Sequence, residues 1–148
     1  MGKAKDLIFV MEKSAREDLI QDNKAFASIL DKLIPVMKKV KLEDKAKAKN
    51  LKQINKSLVF LKNSTIDVDK GLSEFSKGGL VTRDKFLKLL EKPLGSLFSF
   101  FEDVERLWKE IKLTVPSESL AIIGQLLSKL RTDGNSIFNA VKVLGVKL

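Results

Sequence analysis

The chain of 148 residues contains no histidine, no cysteine and no tyrosine, with only three prolines and eight glycines. Without cysteine there is no disulfide, no thiolate nucleophile and no thiol redox chemistry. The missing histidine removes the commonest general base and metal ligand, and with it the Glu-x-x-His pairs that a di-iron helical bundle requires. The few glycines do not form a phosphate-cradling loop. Long apolar runs are lacking too. The longest uncharged stretches, Pro93 to Phe101 and Ser119 to Ser128, have nine and ten residues, against the ~18 or more of a membrane-spanning helix. No transmembrane span is expected. The apolar stretch Leu7 to Met11 is short and runs into Glu12, Lys13 and Arg16, so no export leader is expected. Asp6 stands where a myristoylation signal after Gly2 needs Ser or Thr. These readings favour the cytoplasm or the interior of an assembled particle.

What the chain does have is helical periodicity. Leu51, Ile54, Leu58, Leu61, Thr65, Val68, Leu72 and Phe75 recur at 3,4 spacing, which predicts one long helix over about 44–77 with a core-facing stripe. Gly78-Gly79 ends it, and Gly71 inside it is a weak point. Val59 and Ile66 widen the apolar face to about 160 degrees on a helical wheel. With Leu51 as a heptad a position, the flanking sites hold Asn55, Lys62 and Asp69 and Ser57, Ser64 and Gly71. That is a poor pairing code for a two-stranded coil, so the stripe is read as the core of a bundle within one chain.

Five further patterns surround it. A first helix is expected over about Lys3 to Ile20, with Leu7, Val10, Met11, Ala15 and Leu19 on one face. Asp22 and Asn23 then cap a second, bearing Phe26, Leu30, Leu33, Met37 and Val40, which Pro35 should kink or break near Ile34. Thr82 caps a short helix that stops at Lys92-Pro93. Ser96 opens the most amphipathic segment, with Leu97, Phe100, Phe101, Val104, Leu107, Trp108 and Ile111 on one face. Ser117 caps a helix through Leu120, Ile123, Leu126, Leu127 and Leu130 that Thr132-Asp133-Gly134-Asn135 closes. From Ser136 the tail fits a helix or an edge strand. The expected architecture is an all-α bundle of about six segments in one domain, 1–148, with a loosely packed C-terminal tail, 134–148.

Charge supplies the first candidate site. The net charge is +9, and between Lys38 and Lys62 nine lysines face only Glu43 and Asp44. Lys45, Lys49, Lys52 and Lys56 follow 4,3,4 spacing and form a ridge, extended by Lys38 and Lys41 if the helix continues backward. Such a ridge neutralises phosphates on nucleic acid or anionic lipid. Base-specific readout is not expected from lysines alone, and Phe60 is the one aromatic placed to act as a stacking platform.

The second candidate is apolar. Leu97, Phe98, Phe101 and Trp108 are assigned as a contact for a protein partner. The polar face of the same segment mixes Glu102, Asp103, Glu105 and Glu110 with Arg106, Lys109 and Lys112, the wrong sign for an anionic membrane.

Acid pairs such as Glu17-Asp18, Asp67-Asp69 and Glu102-Asp103 lack a nucleophile, a metal cluster or calcium-loop spacing beside them. No catalytic, cofactor or metal site is assigned. The expected role is a non-enzymatic interaction or assembly protein: a scaffold, an adaptor or a subunit of a larger cellular or viral particle. A membrane-active pore former, a sequence-neutral nucleic-acid binder and a homo-oligomer are the alternatives.

Overall fold

The apolar periodicity organises residues 8–9, 13–76 and 81–143, the part of the chain that a computed structural model describes, into four long helices. They are α1 (Lys13–Lys39), α2 (Lys45–Ser76), α3 (Arg83–Ile111) and α4 (Ser117–Val143). The two-residue strands β1 (Ile8–Phe9) and β2 (Val81–Thr82) pair antiparallel, tying the start of the chain to the entry of α3. Short connections make the helices run up, down, up and down, an all-α bundle of four helices rather than six segments. The expected α2 appears as read. Leu7, Val10, Met11, the Phe75 side chain, Gly78, Gly79 and the tail beyond Val143 lie outside what is described.

Each helix turns its stripe inward. Leu51, Ile54, Leu58, Leu61, Thr65, Val68 and Leu72 are buried within the one chain. They meet Leu19, Phe26, Leu30, Leu33 and Met37 of α1 and Leu90, Leu94, Leu97 and Val104 of α3. Val59 and Ile66 do not widen this core; both are exposed on the outer side of α2. α2 packs most closely on α3, and α1 on α4 and α2, so the spatial order is α4, α1, α2, α3. Across the remaining seam α3 and α4 meet through long side chains. Arg131 of α4 pairs with Glu105 of α3, and Phe138 stands edge-on to Phe98 with ring centroids 5.5 Å apart.

Three helix ends read from the sequence are interior positions instead. Pro35 lies inside α1 on its exposed side, four residues before the end. Water can reach the carbonyl that has lost its donor there, and Met37 and Val40 remain anchored in the core. Pro93 lies inside α3, flanked by the fully buried Leu90, Leu94 and Leu97, whose burial holds the helix together across it. At Thr132 to Asn135 the helix continues because Leu130, Ile137 and Val141 on either side are fully buried. The hydroxyls of Thr132 and Ser136 donate to the Ser128 and Thr132 carbonyls, so these polar side chains are satisfied inside the helix. Ile137 and Val141 are fully buried, which makes the tail helical as far as Val143.

Asn23 is not a cap. It sits in the middle of α1, almost wholly buried, and its Nδ2 donates to the Thr65 carbonyl at 3.0 Å. This bond across the α1–α2 hairpin joins residues 42 apart in the chain and favours one register of the two helices. Lys62 and Asp31 form an ion pair at 2.9 Å on the same seam.

Pro93 and Gly71 belong to one contact. The proline has no N–H for the carbonyl of Leu89, four residues before it. That carbonyl lies against Gly71 of α2, where a Cβ would stand 2.6 Å from the oxygen and 2.9 Å from Leu90 Cδ2. The glycine is what lets the α3 backbone come this close.

Candidate functional site

The lysine face of α2 follows from its period. A residue every 3.6 that is not on the buried stripe falls on the opposite side, and Lys45, Lys49, Lys52 and Lys56 are all exposed there. Asp44 starts the helix: its Oδ1 accepts from the Lys47 N–H at 3.0 Å and its carbonyl from the Ala48 N–H at 2.8 Å. From 45 to 66 the helix holds six lysines and no carboxylate. Among the described residues, none of the four ridge lysines is paired with an acid. Lys45, in the first turn, also sits at the positive end of the helix macrodipole, where a cation is disfavoured. Lys38 and Lys41 do not extend the ridge along one helix, because the chain turns between Lys39 and Lys45.

The ridge leads to an aromatic pair. Phe60, one turn beyond Lys56, is 37% exposed, and its ring lies 5.1 Å from that of Phe100 on α3 with a tilt of 32°. Lys56 Nζ sits 6.0 Å from the Phe60 centroid. Beyond the pair a groove of about 670 Å³ runs between α2 and α3. Its floor is made by small or ring residues, Ser64, Gly71, Pro93 and Ser96, and its rim carries Lys70, Lys88 and Lys92 against Asp67 and Glu74. The sequence singled out Phe60 but gave no sign of Phe100 beneath it, since that pairing depends on how α3 lies over α2.

The apolar candidate is divided by the fold. Leu97, Phe101 and Trp108 are buried. Phe101 meets Phe26 of α1 edge-on, with centroids 6.0 Å apart, so these three side chains have their partners inside the chain. Phe98 is half-buried and, with the 42% exposed Phe138, borders a cleft of about 400 Å³ along the α3–α4 seam. Phe138 escaped the sequence reading because its segment had no assigned conformation.

A carboxylate group lies on the α1–α4 side. The Asp22 carboxyl is held above its ordinary pKa by partial burial and then by the charges of Asp18 and Asp133, and Asp133 is raised by burial. A carboxyl whose pKa is higher folded than unfolded favours the fold when protonated, so its ionisation works against the fold at neutral pH. Asp133→Asn is therefore expected to raise the melting temperature at neutral pH. The gain should vanish as the pH falls through the raised pKa towards the ordinary carboxylate range, as scanning calorimetry over that span can show. A gain that persists unchanged in acid would assign it to packing.

Among the described residues no group of three or more carboxylates is placed to hold a metal ion, and no helix is long and apolar enough to cross a membrane. Comparison with family models, curated proteins and solved structures gives no match to this chain.

Proposed function

We propose that the protein is a non-enzymatic helical binding and assembly component that docks through the lysine face of α2 onto an extended polyanion. The observation that carries this reading is the row Lys45, Lys49, Lys52 and Lys56, exposed, aligned and without acidic partners among the described residues. Holding like charges three and four residues apart on one helix face costs stability. A phosphate-bearing partner turns that cost into binding free energy, chiefly by release of counterions.

Titrating a labelled nucleic acid against the protein at several salt concentrations tests the reading. Four neutralised phosphates give a slope of log K against log salt of roughly −3 to −4. Replacing Lys45, Lys49, Lys52 and Lys56 together by Gln should flatten that slope and weaken binding to unrelated sequences alike. Absence of binding at low salt to single strands, duplex and anionic vesicles alike would defeat the proposal.

A protein partner is the second reading, favoured by Phe98 and Phe138 along the α3–α4 cleft. It would engage these two rings rather than the buried Leu97, Phe101 and Trp108. A Phe138→Ser variant that folds normally and still retains its partner would set it aside.

A further inference from the structure

The geometry points to single-stranded nucleic acid as the polyanion, with its phosphates along the lysine face and an unpaired base stacked on Phe60 in the groove between α2 and α3. This inference rests on the polyanion reading above and narrows it to one class of partner.

Three features of the surface converge on it. The first is continuity: Lys45, Lys49, Lys52, Lys56 and Phe60 lie on one side of α2, so the face from Lys45 to the ring spans about 22 Å at 1.5 Å per residue. A backbone that follows the lysines arrives at the aromatic ring without turning a corner. The second is the platform itself. Phe60 is partly exposed and paired with Phe100, and the Lys56 ammonium 6.0 Å over its ring is the tip of a flexible side chain that an incoming base displaces towards a phosphate. Stacking on such a ring is tolerant of sequence, because every base has a π face, and it suits lysines that read no base edges.

The third is the groove. At about 670 Å³ it falls within the ordinary range of small-molecule sites. It is an open groove rather than an enclosed cavity, and Ser64, Gly71 and Ser96 put little into it. Lys70, Lys88 and Lys92 outnumber Asp67 and Glu74 on the rim, so the phosphate after the stacked base meets a surface that is still positive. A duplex keeps its bases inside and cannot offer one to Phe60. A bilayer surface engages the lysines but does not enter a groove between two helices.

The test compares labelled oligothymidylate of about 15 nucleotides with an abasic oligomer of the same length, by fluorescence anisotropy at low salt. The base-bearing strand should bind about ten-fold more tightly, within the range of one stacked base. Phe60→Ala should abolish that preference and leave the salt slope unchanged. Phe60→Leu, which retains an apolar contact with Phe100, should lose the preference as well while melting like the parent. Oligouridylate in place of oligothymidylate distinguishes RNA from DNA, and a base preference in either supports the inference. Equal binding of base-bearing and abasic strands would overturn it while leaving the lysine face as a polyanion site. Tighter binding of blunt duplex or of phosphatidylserine vesicles than of oligothymidylate would also overturn it. If no polyanion binds, both readings fall together.

Discussion

Leu61→Ala is expected to lower the unfolding free energy by about 2 to 5 kcal/mol, and the melting temperature by roughly 6 to 16 °C for a chain of this length. Leu61 is fully buried at the middle of the α2 stripe, with core residues of α1 and α3 around it. Neighbours held by the other helices cannot easily close over the space a lost isopropyl group leaves, so both the transfer and the cavity contributions apply. Because the stripe is buried within one chain, the loss should be the same at every protein concentration. Thermal melts over a hundred-fold range of concentration check this. A melting temperature that rises with concentration in parent and variant alike would move part of the core's stability to an interface between copies.

Gly71→Ala should destabilise the protein by about 1 to 3 kcal/mol, although alanine is intrinsically the better helix residue by about 1 kcal/mol. The added methyl would stand 2.6 Å from the Leu89 carbonyl oxygen, and a backbone atom cannot swing aside as a side chain can. α2 and α3 would have to separate. Gly124→Ala is the contrast: nothing lies within 4 Å of a Cβ at that position, so the propensity gain of about 0.5 to 1 kcal/mol should appear undiminished. Urea unfolding of the two variants reads opposite shifts in midpoint. A stabilised Gly71→Ala would show that the α2–α3 contact is slack.

Comparison of these residues with the sequence shows where reading by pattern works. The stripe from Leu51 to Leu72 defined α2 almost to the residue, because a long apolar face with consistent spacing has few other solutions. Pro35, Pro93 and the Thr132 to Asn135 quartet were misread for a shared reason. Local rules price a backbone defect in isolation, whereas here buried leucines on both sides of Pro93 outweigh a penalty of about 3 kcal/mol. Gly71 looked like a weak point of α2 for the same reason; only the position of α3 reveals what its missing side chain is for. The lysine face was legible from spacing, since exposed charges need no knowledge of neighbours. The aromatic contact was not. An amphipathic helix shows which face is apolar but not whose surface covers it, and for Leu97, Phe101 and Trp108 the cover is the protein's own core.

The spatial order α4, α1, α2, α3 is an open row bent round on itself, with its two ends facing each other across the α3–α4 seam. Such a row has a natural first step of opening. α4 would swing away on α1 by giving up the Arg131–Glu105 pair, the Phe98–Phe138 contact and its cover over Phe101 and Trp108, while the α2–α3 and α1–α2 packing stays whole. Backbone amides of α4 would then exchange with solvent through a partial opening that costs less than global unfolding, and those at the centre of α2 only through the global event. The two surfaces differ accordingly in kinetic character. On this scheme the lysine face belongs to the helix expected to exchange last and would meet a polyanion preformed, whereas the seam beside Phe138 is expected to open first.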